Sequence, residues 1–452
     1  MKFEFRPIEL QPIDEKLTPS AGLGTWLEMF DSSPLKESFA RCLPIQTSPR
    51  ASGSYPLALM QIASFLSDHD CLDDLEAFRS DPVVEKLFGA PTVAPRTMGD
   101  FLRSFTDEHL SALREFLAEM GHFIRSSIAE HRDKPVMKTL DTTPHEQSGL
   151  KMQGLAVNYD GKWCLDSQVS FDEIGLCYGA QLRSGSTQSG KDFDPLLSSS
   201  FAPFIASDRN RKDRRAMPKY FMGDSAYCRS KVILRAMNLG LKYTLSAHDG
   251  RTQWKSHIDG ITKWEAWKWS EDEIQWAIEH EQKLPTIEVG EYLWQPRWAE
   301  NIRIRVVVKR MWVEKKQQWK YHGIVTNIFH MTNQSIVEHH NRRGNAENFI
   351  REAKYGYDLL NFPCQKLLAN EAYLLLAMIA HNILRWAALL IEPHHPKFSK
   401  KFRRQFLFSP AKLVRHAKKT VLKVSRPFYL EVTRLREAWQ SSLNPAQAMG
   451  FG

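Results

Sequence analysis

The chain has 452 residues, 42% apolar and 25% charged, with 61 Lys and Arg against 52 Asp and Glu and a formal charge of +9. That length supports two or three domains around a sizeable core, and the excess of base favours a polyanionic partner, nucleic acid before membrane. Six cysteines, at 42, 71, 164, 177, 228 and 364, include no pair with the C-x-x-C spacing of a zinc site, and their scatter does not read as a disulfide framework, which fits a reducing cytosol.

The opening MKFEFRPIEL lacks the apolar core of a signal peptide. Residues 1–132 read as a helical domain, either a bundle that supports the rest or a module for DNA-end binding or dimerisation, with helical spacing in Leu57 to Leu66, Leu72 to Phe78 and Phe101 to Ile128 and a break at Pro91 to Pro95. At Lys134 the period changes. KPVMKTLD predicts a short strand ending at Asp141, and KWCLDSQVSF and LCYGAQLRSG predict two more. A Ser-rich, helix-poor stretch leads to the basic run Arg209, Arg211, Lys212, Arg214 and Arg215, then to KYFMGD, a strand ending in an acid. RSKVILRAMNLGLKY predicts a helix and TLSA a fifth strand, so residues 133–249 open a mixed α/β sheet.

Nine of the thirteen tryptophans fall between 250 and 320, where IRIRVVVKRMW alternates as a strand does; this predicts a β-rich insertion. Cross-strand packing is the ordinary role for such aromatics. YHGIVTNI returns to the main sheet or its edge, and helix runs from about Asn345 to Leu390, so residues 321–392 complete the core. The apolar run Leu374 to Ile391 is interrupted by His381, Asn382 and Arg385 and reads as a buried helix, not a membrane span. Residues 393–452 form a basic C-terminal region. Eleven Lys or Arg and no acid lie between Glu392 and Glu431, interleaved with Phe398, Phe402, Phe406 and Phe408, which suits contact with a phosphate backbone.

Three acids stand out by context. Asp141 and Asp224 close apolar strands, where side chains emerge at a sheet edge, and Glu347 lies on a helix. Phosphoryl transfer on DNA with divalent cations needs two or three hard carboxylates converging from separate elements. Around Glu347, Arg343 precedes by four residues and Lys354 follows by seven, which places the acid and the lysine within about 20° of each other on one helical face. An exposed helix with ordinary pairs, such as Glu347 with Arg351, accounts for the same spacing.

LDTTPHE, FMGDSAYCR, HNRRGNAENFIREAK and NFPCQKLLANEAYLLLAMIAHNILR, in this order, resemble the bacterial insertion-sequence transposases of the Asp-Asp-Glu class, in particular the group with a Tyr-x2-Arg-x3-Glu-x6-Lys signature. The resemblance covers roughly residues 20 to 390. It implies a ribonuclease H-like core, with Asp141, Asp224 and Glu347 as the catalytic, metal-binding triad for Mg2+ (Mn2+ substituting). It also implies Arg343 and Lys354 on the phosphates of the transposon end, with His340 at the signature's Tyr position as a further DNA contact. The implied partners are double-stranded DNA and a second copy of the chain in a homodimer, in the bacterial cytoplasm and on the nucleoid when DNA is bound. The 123-residue gap (347 minus 224) matches the β-rich insertion some of these enzymes carry, where an aromatic can stack on a flipped base. A nuclease that hydrolyses without joining, and a DNA-binding relic without chemistry, share the same core.

Overall fold

The structure is a computed structural model and describes residues 11–12, 14–46, 52–149, 151–210, 216–416 and 419–448. Short strand β1 (Leu17–Thr18) is followed by helices Leu23–Asp31, Leu35–Arg41, Ser54–Leu66, Leu75–Ser80, Pro82–Phe88, Pro95–Arg103 and Asp107–Ser127. In the last of these Leu110, Leu113, Leu117, Met120 and Ile124 recur at helical spacing and are all buried. That face meets the first part of the sheet and helix Leu367–Ile391, and one apolar cluster joins Trp26, Phe30, Leu57 and Leu113 to Tyr178, Leu376 and Trp386. The helical N-terminal part thus shares a core with the sheet.

The sheet follows in chain order: β2 (Val136–Glu146), β3 (Ala156–Val157), β4 (Trp163–Asp172), β5 (Cys177–Ser184), β6 (Lys219–Gly223), β7 (Lys242–Ser246), β8 (Glu265–Ala266), β9 (Ile287–Trp294), β10 (Ile304–Val313) and β11 (Gln318–Thr326). The ten strands form one mixed sheet in the order β3-β4-β2-β6-β7-β11-β10-β9-β8, with β5 also on β4. β4 is antiparallel to β2 and to β5, whereas β2, β6 and β7 run parallel. The parallel strands need crossovers, which helices Asp194–Asn210 and Ser230–Asn238 supply. Both pack on the same side of the sheet, with Leu196, Leu197, Phe201, Val232 and Ile233 in one cluster with Phe221, Tyr243 and Val325.

Two expectations change here. β2 does not end at Asp141 but continues to Glu146, because antiparallel β4 pairs with it along that length, Glu146 opposite Cys164. The Ser-rich stretch is helical over Asp194–Asn210 in spite of Pro203, since its apolar residues line up against the sheet. YHGIVTNI returns to the main sheet as expected: β11 pairs with β7, and the mostly β insertion, which also contains helix Glu271–Glu279, extends the same sheet outward through β10, β9 and β8. Residues 211–215 of the basic run lie outside the described residues.

Helix Leu367–Ile391 has the length and apolarity of a membrane span, yet 89% of its most apolar window is buried inside the fold. Helix Ser399–Phe406, the hairpin β12 (Ala411–His416) and β13 (Lys419–Lys423), and helix Arg426–Ala448 complete the chain, with β12 also paired to β1. Part of the basic C-terminal stretch belongs to the core. Phe402 and Phe406 are buried and stacked with centroids 4.4 Å apart, and the fully buried Arg403 bonds the carbonyls of Phe65, Leu66 and Gly356. Those aromatics are spoken for by packing, and hydrogen bonds satisfy that guanidinium.

Candidate active site

Strand register brings the two aspartates together. β2 and β6 run parallel with Val136 opposite Lys219 and Thr139 opposite Met222. Carrying that pairing two residues onward sets Asp141 level with Asp224, and neighbouring strands lie about 4.8 Å apart. Asp224 stands just past the end of β6 and caps the turn Ser225–Tyr227, its Oδ1 accepting from the Ala226 N–H at 2.8 Å. Asp141 Oδ1 accepts from the Thr142 N–H at 2.9 Å, which leaves Oδ2 directed at the cation described next.

That cation is Arg343. It is the N-cap of helix Gly344–Gly356, directly after helix Asn333–Asn341. Its Nη1 lies 3.2 Å from Asp141 Oδ2 and its Nη2 3.8 Å from Glu347 Oε1, so one guanidinium bridges two of the three acids. Burial pushes the Asp141 carboxyl up to about 6; the Thr142 N–H and Arg343 oppose that rise, and the charges of Asp224 and Glu347 add to it. The three acids therefore share one electrostatic neighbourhood. Glu347, in the first turn of its helix, is 62% exposed at the side chain.

Among the described residues no three His, Cys, Asp or Glu side chains are gathered closely enough to ligate a common ion, the three acids included. Donor type and charge nonetheless suit a hard divalent cation: carboxylate oxygens from two adjacent strands and one helix, with a positive group already between two of them. Joint ligation requires Arg343 to release Asp141 and the exposed Glu347 to swing inward.

Lys354, two turns beyond Glu347, is half-buried and its Nζ donates to the Pro144 carbonyl on the far end of β2. Glu146 and Asp166 lie near enough to act on its charge, though burial lowers its pKa overall. His340 is placed otherwise than a phosphate contact requires. It is 4% exposed, with Nε2 2.9 Å from Ser246 Oγ and Nδ1 3.1 Å from Thr244 Oγ1, both on β7. Burial drives its pKa down to about 3, helped by His322 and Arg343, so the ring is neutral and ties the helix before Arg343 to the sheet.

Several residues near the acids carried no sequence signal of their own. The Tyr227 hydroxyl accepts from Gln168 Nε2 at 2.9 Å and lies within the field of Asp141 and Asp224. Arg229 and Arg251 hold the turn after Asp224, each donating to the Ala226 carbonyl, and Arg251 also to that of Ser225. Only the short GDSAYCR motif pointed to that turn.

A sequence model of the family described as Transposase DDE domain group 1 matches residues 4–439, and the chain belongs to that family. No curated protein matches it. Domains of this family act in DNA transposition and generally use divalent metals.

Proposed function

We propose, with membership of the DDE transposase family as the premise, that this protein cleaves DNA at the ends of a mobile element and joins the freed ends to target DNA. In this reading strands β5-β4-β2-β6-β7 are a ribonuclease H-like core that β11 rejoins, residues 250–320 with β8 to β10 its insertion, and residues 1–132 a DNA-end-binding or dimerisation part. Asp141, Asp224 and Glu347 hold Mg2+, for which Mn2+ can substitute. The observation that carries the reading is the parallel β2–β6 pairing, whose register carried onward sets Asp141 level with Asp224 just past the end of β6, with Glu347 tied to Asp141 through Arg343.

When bound, the cations supply charge neutralisation at the transferring phosphate and a water or hydroxyl that is easier to deprotonate. The chain's own part is positional. The β2–β6 pairing fixes two carboxylates, helix Gly344–Gly356 brings the third, and Arg343 is freed to grip a non-bridging phosphate oxygen as the acids turn to the cations. Lys354 supplies a second positive contact to the backbone, while His340 holds to the sheet the helix that leads into Arg343. Water attacks the phosphorus and the 3′ oxygen leaves; the resulting 3′-hydroxyl then attacks a phosphodiester of the target, and the displaced oxygen takes up the proton. Double-stranded DNA and a second copy of the chain complete the assembly.

The test is metal-dependent cleavage and joining with an oligonucleotide duplex from the element's end. D141N, D224N and E347Q are each expected to lose both reactions and keep DNA binding. Cleavage surviving in any one removes that residue from the triad, and nicking without joined product in the wild type reduces the protein to a nuclease.

A further inference from the structure

A cationic strip leads away from Arg343 along the insertion. In the β10–β11 pair Lys309 stands opposite His322 and Met311 opposite Lys320, so the alternation of strands puts Lys309, Lys320 and His322 on one face. The same face carries Val307 and Ile324 further along, packed with Ile336 and Val337 of helix Asn333–Asn341. The strip therefore emerges beside the end of that helix, where the rings of His322 and His340 lie 5.8 Å apart and Arg343 follows three residues later. Lys309, Arg343 and Lys320 all lower the pKa of His322 on top of its burial, which places the four groups in one positive field.

The strip is built as well as charged. Lys309 Nζ lies 5.2 Å from the Trp267 ring, a cation–π contact that steers the ammonium along the face. Lys320 is exposed, and His322 keeps part of its surface open while its ring packs beside that of His340. The acids of neighbouring β9 are engaged elsewhere, Glu291 by Arg305 and Glu288 by Arg310. Alternate residues of an extended strand advance about 6.8 Å, which equals the axial advance of two nucleotides along one DNA strand.

We propose that Lys309, Lys320 and His322 form a phosphate track that carries the DNA backbone from the carboxylate site out over the β10–β11 hairpin. This rests on the DNA-cutting reading above. The lysines neutralise phosphates, and His322 adds a hydrogen bond donated by a ring N–H.

The experiment is fluorescence anisotropy of the full-length protein with an end-sequence duplex across a KCl series. Each phosphate contact contributes about 0.9 to the slope of log affinity against log salt, so K309Q/K320Q is expected to flatten the slope by about 1.8. K309R/K320R keeps the wild-type slope, and K255Q/K263Q serves as a charge-matched control that also keeps it. A wild-type slope in folded K309Q/K320Q, or an equal flattening in the control pair, overturns the track. D141N run alongside separates the two readings. If it still cuts DNA the catalytic proposal fails, whereas an inactive D141N beside an unchanged lysine-pair slope defeats the track alone.

Discussion

Replacing Arg403 by Met tests whether one buried guanidinium clamps three parts of the chain. Its Nε donates to the Leu66 carbonyl at 2.8 Å, and Nη2 to those of Phe65 at 2.7 Å and Gly356 at 2.6 Å. Nη1 pairs with Asp68 at 2.7 Å. The first two carbonyls end helix Ser54–Leu66 and the third ends the Glu347 helix, Gly344–Gly356. Met keeps the length and apolar volume but orphans the Leu66 and Gly356 carbonyls, whereas the Phe65 carbonyl keeps the Asp68 N–H at 3.3 Å; a buried polar group left unpaired costs about 1–3 kcal/mol. Taking the low end for both, and little for the Asp68 pair because that carboxylate is 44% exposed, R403M should lose about 2 kcal/mol. Urea unfolding followed by tryptophan fluorescence measures it, with cleavage rate as a second reading of the released Glu347 helix. A loss below about 1 kcal/mol would refute the reasoning, since the carbonyls would then be satisfied without the guanidinium.

Three further outcomes follow from the same structure. Burial holds His145 and His340 down to about 3 and His339 down to about 4, so the unfolded chain takes protons at about 6.5 before the folded one does. Stability is therefore full above pH 6.5 and drains as pH falls from there toward 4, by at most about 1.4 kcal/mol per unit for each histidine; thermal melts that stay flat from pH 7 to 5 contradict this. Gly121 lies flush on Tyr178, where an added Cβ would sit 2.7 Å from the ring, so G121A should destabilise by about 1 kcal/mol net even though alanine favours helix; an unchanged urea midpoint is the contrary result. Removing the Arg343 charge with R343Q should weaken end-DNA binding and flatten its salt slope by about 0.9, and retention of the full slope in anisotropy titrations excludes a phosphate contact.

The acid-bearing strands were legible because their apolar runs are short, bounded and rich in β-formers, as in KPVMKTLD and KYFMGD. Their mutual register was not, since it depends on pairing between segments some eighty residues apart, which no local pattern encodes. Helix Asp194–Asn210 was hidden for another reason: Ser and Pro203 lower its intrinsic propensity, and burial of Leu196, Leu197 and Phe201 overrides that. The sequence placed Arg343 and Glu347 on one helical turn but gave no hint that the arginine reaches Asp141, a contact across 202 positions. Likewise, His340 stood where a phosphate ligand was expected, yet only the fold shows Thr244 and Ser246 engaging both its ring nitrogens.

The edge-to-edge union of β11 with β7 has a mechanical consequence. A module hung on two linkers can pivot without disturbing its host, but one that shares backbone hydrogen bonds with the strand next to β6 cannot. Load applied by a bent duplex at the outer hairpin would be felt as twist across β7 and β6, at the root of Asp224. In the proposed reaction, adjustment of the acids to substrate would thus be left to side-chain rotation and to the helix bearing Glu347, while the Trp-rich arm would act as a stiff outrigger to the sheet.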